Sequence, residues 1–280
     1  MEKQKRILSV QDVSCFGKCS NTVALPIVNA AGHECVILPT ALLSTHTAGF
    51  KGFTFLDMTD EMKKILDHWK TLDLKFDALM TGYFGSAEQL TLLSDFIKDQ
   101  DIVKIIDPVM GDNGSLYSIY DAKFVAAMRE FVRGADVVTP NMTEATLLCG
   151  MRYETDNYSD ELFDKLYAGL RALDIKKAVI TGVKFKDDVT GTVAINLEEN
   201  RCAMTQTPYI DTYLHGTGDT FASTFAAVWL SGREFPDAAR FATEFTYEAI
   251  ERTLLGEVRY GLQYENGLGK IALYCGNSVK

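Results

Sequence analysis

Strand-like and helix-like segments alternate along almost all of this 280-residue chain, and this alternation constrains the fold more than any other feature. Short apolar runs, such as residues 6–13, 103–109 and 178–182, are separated by longer segments with apolar side chains at helical spacing. Repeated strand–helix order predicts a mostly parallel central sheet with helices on both faces, a three-layer α/β/α architecture. The sequence contains no linker, repeat or low-complexity segment, so we expect a single domain over residues 1–280.

Local signals refine the expected elements. Residues 190–197 and 201–206 alternate apolar and polar side chains on either side of a Glu-Glu-Asn turn, which predicts a hairpin. A strand is expected over residues 33–38, and apolar side chains at helical spacing predict a helix over 57–72. Asn141 and Glu144 have the spacing of a capping box, which predicts a helix that begins after Asn141.

Composition limits the classes of partner and the compartment. Lys and Arg number 28 against 38 Asp and Glu, and the net charge of −10 argues against nucleic-acid binding. No segment is apolar for long enough to cross a bilayer, and the first apolar stretch, interrupted by Gln11 and Asp12, is too short for a signal-peptide core. The six cysteines lack Cys-x-x-Cys spacing and there are only four histidines, so we expect no zinc site and reduced thiols in the cytoplasm.

A glycine-rich turn leads into a buried helix in the run that begins at His215 and continues through Gly216, Thr217, Gly218 and Asp219. Backbone N–H groups at the start of a helix form a natural anion site. A carboxylate beside that site repels a resting anion, so Asp219 is useful there as a base that takes a proton from a hydroxyl while a phosphoryl group arrives. The alternative is that Asp219 only caps the helix.

Polar residues at other strand ends would converge on the same edge, because ligands of open parallel sheets bind beyond the carboxyl ends of the strands. Asp107 is expected to act through Mg²⁺, and Asp112 lies in the same segment; a simple turn is the alternative for both. Asn141 and Glu144 would face the metal's hydration shell, or only cap a helix, and the two roles are compatible. Asp12 is expected to accept hydrogen bonds from a substrate or from a local N–H.

Taken in order, several motifs together resemble the pyridoxal/pyridoxamine kinases of the ribokinase-like superfamily. The resemblance extends from Ile7 to about Leu254. It is carried by Ser9-Val-Gln11 with Gly17 and Asn21, Ser44-Thr-His46-Thr47, Thr81-Gly-Tyr83-Phe-Gly85-Ser86, Asp107-Pro-Val-Met-Gly-Asp112, Thr139-Pro-Asn141-Met-Thr-Glu144, and Gly216-Thr-Gly218-Asp219.

The resemblance implies ATP-dependent phosphorylation of the 5′-hydroxymethyl group of a vitamin B6 vitamer. A hydroxymethylpyrimidine kinase is the nearest alternative, and a non-catalytic pyridoxal phosphate-binding protein is an alternative of another class. The implied roles are a base (Asp219), an anion hole (Gly216, Thr217, Gly218), Mg²⁺ carboxylates (Asp107, Glu144), an ATP site (Asp112, Tyr117, Thr139, Asn141, Thr181) and an acceptor site (Asp12, His46, Thr47, Tyr83). It also implies a homodimer that responds to K⁺.

One position departs from the family pattern. The family often has Ser after the Gln at the end of the first strand, where the hydroxyl meets the ring nitrogen, whereas this chain has Asp12. A carboxylate there can pair with a protonated ring nitrogen, or it can bind sugar hydroxyls as the matching acidic residue of related sugar kinases does. The preferred vitamer and a non-vitamer acceptor are therefore both open at this point.

Overall fold

The structure is a computed structural model that describes residues 4–47, 49–153 and 158–276. A nine-stranded sheet forms its middle layer, and two further short strands form a separate ribbon. In chain order the strands are β1 (Arg6–Ser14), β2 (Glu34–Leu43), β3 (Phe55–Asp57), β4 (Ala78–Thr81), β5 (Val103–Ile106), β6 (Gly111–Asp112), β7 (Ser115–Leu116), β8 (Val137–Val138), β9 (Lys177–Lys186), β10 (Val189–Asn196) and β11 (Arg201–Pro208).

The sheet order is β11-β10-β9-β8-β5-β4-β1-β2-β3. The six strands from β9 to β2 are parallel, and antiparallel neighbours extend the sheet at both edges. The chain runs outward from β1 to β2 and β3 and then crosses to β4 on the other side of β1. Such a reversal separates the loops that leave the neighbouring strands and opens a crevice at their carboxyl ends.

Helices cover both faces of this sheet. The α-helices are α1 (Asn21–Ala30), α2 (Thr59–Thr71), α3 (Ala87–Ile97), α4 (Ala122–Phe131), α5 (Met142–Leu148), α6 (Asp160–Ala172), α7 (Thr217–Leu230), α8 (Phe235–Leu254) and α9 (Leu268–Tyr274). Helices α2 to α6 pack on one core, and α1, α7, α8 and α9 pack on the other. Leu8 and Ile7 of β1 point into opposite cores, as the alternation of a strand requires. The predicted three-layer, mostly parallel architecture is confirmed.

Local predictions hold with two differences. The 189–208 hairpin is present, and Asn141 and Glu144 form the predicted capping box at the start of α5. Strand β2 continues five residues beyond the predicted end, to Leu43. The segment Phe55–Asp57 is an edge strand rather than the start of a helix, and α2 begins only at Thr59, whose N–H donates to the Asp57 carboxylate at 2.8 Å. All three residues of that strand are exposed, so they lack the alternation that would have identified it.

A helix that crosses a bilayer must be both long and apolar. Within the described part of the chain, none combines the length and the apolar character needed to cross a bilayer.

Candidate active site

A cavity of about 510 Å³ opens beyond the carboxyl ends of β5, β8 and β9. Residues from the two loops that follow β5 and β8, from the β10–β11 hairpin and from α7 and α8 form its wall. Eleven predicted site residues line it, namely Asp107, Asp112, Tyr117, Thr139, Asn141, Glu144, Thr181, Gly216, Thr217, Gly218 and Asp219. The topology thus brings together the predicted nucleotide, metal, anion-hole and base positions from distant parts of the sequence.

The glycine turn at the start of α7 has the geometry of an anion site. Gly216 occupies the N-cap position in the left-handed region, with φ 79°, and contributes no side-chain cap. A Cβ atom on Gly216 would lie 2.2 Å from the carbonyl oxygen of Lys18, so only glycine fits. The Thr217 hydroxyl turns back to the carbonyl of Leu214 at 2.9 Å. The first N–H groups of α7 therefore remain available to a ligand in the cavity.

Asp219 lies in the first turn of this helix and is not its cap, since Gly216 holds that position. Burial raises the pKa of Asp219 to about 6, a hydrogen bond from the Ser20 backbone N–H opposes this shift, and the nearby charge of Asp12 adds to it. A carboxylate with this pKa is ionised at neutral pH yet can hold a proton, which suits a general base. The capping alternative for Asp219 is excluded by the position of Gly216.

Asp107 and Glu144 form a buried acidic pair. Glu144 accepts hydrogen bonds from the backbone N–H groups of Met110 at 3.0 Å and Asn141 at 2.9 Å. Burial raises the pKa of Glu144 to about 8 in spite of these bonds, and burial together with the charges of Glu144 and Asp219 raises the pKa of Asp107. Each carboxylate is thus more costly to ionise than in water, and a divalent cation would remove that cost.

This donor set fits a hydrated Mg²⁺ rather than a closed metal cage. Among the described residues, no three or more His, Cys, Asp or Glu side chains form a cluster that could hold a metal ion. Mg²⁺ prefers oxygen ligands and is usually held by one or two carboxylates together with water and substrate phosphates. Asp107 and Glu144 supply that number of carboxylates, whereas the Asn141 amide is already engaged with Gly111 and Glu144.

Two residues predicted to contact ATP differ in their local surroundings. Asp112 lies on the β6–β7 ribbon and accepts a hydrogen bond from the Asn113 N–H at 2.8 Å. Thr139 is buried, and its hydroxyl has no hydrogen-bond partner among the described residues. A hydroxyl in this state on a cavity wall is available to a ligand.

The predicted acceptor residues lie outside the lining of this cavity, and they divide into two groups. Asp12 lies near both Asp219 and Tyr83, because its charge contributes to the raised pKa of each. Burial is the main cause of the shift at Tyr83, whose pKa is raised to about 12. His46 is buried, with its Nε2 3.1 Å from the Arg259 carbonyl oxygen, whereas Thr47 is exposed. Direct contact of these four residues with the acceptor stays a prediction.

His46 also links the acceptor-side loop to the glycine turn. Its ring stacks on the ring of His215 with centroids 4.9 Å apart and an angle of 13°. Burial and the neighbouring His46 lower the pKa of His215 to about 4, so His215 is neutral at physiological pH. The stacking therefore positions the turn before Gly216, and His215 adds no positive charge to it.

Sequence reasoning missed Ser20. Its backbone has φ 49° at the start of α1, its hydroxyl donates to the Asp12 carboxylate, and its N–H donates to Asp219. No local pattern identifies such a link, because a serine before a helix normally indicates only a side-chain cap. Here the side chain makes no cap bond and is used instead by the site.

Comparison with known proteins identifies the family of the chain. The phosphomethylpyrimidine kinase family matches residues 25–263. A Bacteroides thetaiotaomicron structure described as a phosphomethylpyrimidine kinase and crystallised with pyridoxal is 39% identical, with TM-score 0.90 and coverage of 96% of each chain. The pyridoxal kinase of Lactobacillus plantarum is 30% identical, with TM-score 0.89, and the match covers 97% of this chain and 98% of that one.

A mammalian relative extends the comparison. The pyridoxal kinase of Bos taurus is 27% identical over 276 residues, which is 91% of this chain and 86% of that protein. Together with the confirmed fold, these matches show that the chain belongs to the phosphomethylpyrimidine kinase family and, within the ribokinase-like fold, is similar to the pyridoxal kinases.

Proposed function

We propose that this protein is an ATP-dependent kinase that phosphorylates the 5′-hydroxymethyl group of a vitamin B6 vitamer and releases ADP. The observation that carries the proposal is the position of Asp219, buried in the first turn of α7 directly after the Gly216 turn, with a pKa raised to about 6. Similarity to pyridoxal kinases, and to a structure crystallised with pyridoxal, supports the acceptor.

The chain's own groups account for the chemistry. Asp219 accepts the proton of the acceptor hydroxyl as its oxygen forms a bond to the γ-phosphorus of ATP, and the bond from that phosphorus to the bridging oxygen breaks. The N–H groups of Gly216, Thr217 and Gly218 stabilise the negative charge on the transferring group. When bound, Mg²⁺ neutralises phosphate charge, and Asp107 and Glu144 are the residues that would hold it.

We assign the binding of the acceptor substrate to Asp12, His46, Thr47 and Tyr83. The assignment of Asp12 is the most specific of the four. It is buried and receives hydrogen bonds from the Ser14 hydroxyl at 3.1 Å and from the Ser20 hydroxyl. These bonds fix the carboxylate close to Asp219, where it faces the substrate that Asp219 deprotonates. Activation by K⁺ stays a prediction of the family resemblance, checked by a KCl titration of the rate.

A second candidate is phosphorylation of a hydroxymethylpyrimidine, because the matching family is described as phosphomethylpyrimidine kinase. Both acceptors carry a CH₂OH group on a nitrogen heterocycle, so the same base and anion hole serve either reaction. The difference lies in the ring contacts on the Asp12 side. Loss of the base or of the glycine turn would have favoured a non-catalytic binding protein, but both are intact.

We also propose a cytoplasmic homodimer in which residues 1–280 form one domain. Support for self-association comes from the edge of the sheet, where Leu42, Phe55 and Leu56 are exposed. All six cysteines are free thiols, as in proteins of reducing compartments. Sedimentation of the purified protein tests the dimer, since a monomer at micromolar concentration would contradict it.

The function is tested by measuring ADP release with Mg-ATP and each of five acceptors: pyridoxal, pyridoxine, pyridoxamine, hydroxymethylpyrimidine and a simple sugar. We expect turnover of at least one B6 vitamer and formation of its 5′-phosphate. Turnover of hydroxymethylpyrimidine alone would establish the second candidate. Turnover of the sugar without any vitamer would overturn both.

A further inference from the structure

We propose that Thr192, together with Thr246 on the same wall of the cavity, makes this kinase selective for a purine with an exocyclic amine at position 6 over a 6-oxo purine. The inference rests on the proposed function, because it takes a nucleoside triphosphate to lie in the cavity with its phosphates at Gly216–Gly218. It concerns the opposite wall of the cavity, which none of the predicted site residues occupies.

The cavity is chemically divided. Its carboxylates, Asp107, Asp112, Glu144 and Asp219, lie with the glycine turn at the end where phosphates and a cation belong. The wall built by β10, β11, α7 and α8 contains only uncharged residues: Thr190, Gly191, Thr192, Thr207, Pro208, Phe221, Thr243, Thr246, Tyr247 and Ile250. Phe221 lies four residues into α7 from Thr217, about 6 Å along the helix. An apolar wall with a few hydroxyls suits a base rather than a phosphate.

The hydrogen bonds on this wall fix which of two threonine hydroxyls, Thr192 or Thr243, donates to the other. The Thr243 hydroxyl donates to the Ala239 carbonyl oxygen at 2.8 Å, and a carbonyl cannot return the donation. The Thr192 and Thr243 oxygens are 2.9 Å apart. Since the only Thr243 proton is committed to Ala239, Thr192 must be the donor of that bond. The Thr192 oxygen is therefore left with lone pairs alone, and because Thr192 lines the cavity we take this oxygen as the acceptor offered to the base.

Thr246 adds a second polar group on the same face of α8, one turn beyond Thr243. Its side chain is 6% exposed, it lines the cavity, and its oxygen has no hydrogen-bond partner among the described residues. A buried hydroxyl without a partner costs free energy until a ligand satisfies it. The N7 ring nitrogen, which is an acceptor in both 6-amino and 6-oxo purines, can accept from this hydroxyl, while Thr192 accepts from the neighbouring amine.

This arrangement discriminates at one position of the base. The amine at position 6 of adenine donates a hydrogen bond to the Thr192 oxygen. The 6-oxo oxygen of hypoxanthine is an acceptor, so it cannot form a hydrogen bond with the Thr192 oxygen, which is also an acceptor. The mismatch leaves both groups buried and unpaired, and such a loss corresponds to a factor of about 10 to 100 in affinity. ATP and ITP differ in this part of the ring, so they are the appropriate pair of nucleotides.

The experiment measures kcat/KM for ATP and for ITP with a saturating B6 vitamer, in the parent protein and in Thr192→Val, Thr192→Ser and Thr246→Val. The parent is expected to prefer ATP by about 10- to 100-fold. Thr192→Val, which keeps the shape and suits a strand, should reduce the preference to within a few-fold, and Thr192→Ser should restore it. Thr246→Val should raise the KM for both nucleotides, because it removes a contact to the ring rather than to position 6.

Thr224→Val is the matched control, since this hydroxyl is also buried and without a partner among the described residues but does not line the cavity. It should keep the parent preference. Equal use of ATP and ITP by the parent, or an unchanged preference in a folded Thr192→Val, would overturn the inference. Thr192→Ala replaces the valine variant if that variant does not fold. If no vitamer is turned over, the proposed function fails, and calorimetry with ADP and IDP still measures the base preference.

Discussion

The carboxylates of Asp12 and Asp219 are held by one residue between them: the Ser20 hydroxyl donates to Asp12, and the Ser20 backbone N–H donates to Asp219. Two acidic groups from the first strand and from the helix near the end of the chain are thereby fixed within reach of each other's charge. Their repulsion contributes to the raised pKa of Asp219. In the proposed mechanism it couples the acceptor side of the site to the proton transfer.

Asp219→Asn is expected to remove most of the turnover while the fold and nucleotide binding remain. The amide keeps the size of the side chain but cannot accept the hydroxyl proton, so kcat should fall by about 10²- to 10⁴-fold. Affinity for ATP should be equal or higher, because a negative charge beside the phosphates is gone. Steady-state kinetics and nucleotide titration check this, with Asp67→Asn on the exposed face of α2 as control. A kcat within a few-fold of the parent in a folded protein would contradict the base assignment.

The pH dependence of the rate should report the Asp219 pKa. Because the base must be deprotonated, kcat/KM should be low in acid and rise as pH passes through about 6. Asp12→Asn removes a charge that raises this pKa, so the acid limb should move to lower pH. The comparison is a pH profile of the two proteins with the same vitamer. An acid limb that does not move would mean that the Asp12 charge does not reach Asp219.

Gly216→Ala and Gly218→Ala form a matched pair in the same turn. Alanine at position 216 is strained by φ 79° and brings Cβ within 2.2 Å of the Lys18 carbonyl oxygen, so we expect a lower melting temperature and loss of most activity. Alanine at position 218 meets no atom within 4 Å and has no strained φ, so the melting temperature should be unchanged. Thermal melts and ATP kinetics separate the two. Equal stability of both variants would show that Lys18 yields to the new Cβ.

Glu144→Gln should affect both stability and metal use. The carboxylate accepts hydrogen bonds from the N–H groups of Met110 and Asn141, whereas the amide has one oxygen and can accept only one of them. The loss should lower the free energy of unfolding by about 1.5–3 kcal/mol. It should also raise the Mg²⁺ concentration for half-maximal rate. Asp107→Asn removes a charge but not the capping box, so it should shift the Mg²⁺ titration with less loss of stability. A normal Mg²⁺ titration in Glu144→Gln would leave Glu144 as a capping residue alone.

The sequence predicted those features that are local or that follow from parallel-sheet topology. The Asn141–Glu144 capping box is set by a spacing of three residues, and the presence of Asp107 and Asp219 in one cavity follows from the shared carboxyl edge of the sheet. The exposed strand at Phe55 and the link through Ser20 could not be predicted. The first lacks a buried face that would produce alternation, and the second depends on a positive φ and on a contact between segments far apart in the chain. The Thr192 and Thr243 hydroxyls likewise come together only in the assembled structure.

The contact of Gly216 with the Lys18 carbonyl oxygen has a consequence for how activity is acquired during folding. Gly261, near the C-terminal end, approaches the same oxygen, where its Cβ would lie at 2.8 Å, and the Lys18 N–H donates to Tyr260 at 3.0 Å. The turn proposed as the anion hole is thus supported by segments from opposite ends of the polypeptide, and contacts of such long sequence separation carry a large loop-closure cost during folding. We expect a nascent chain to contain most of its helices before this turn is in place, so that phosphoryl transfer would mark completion of the fold.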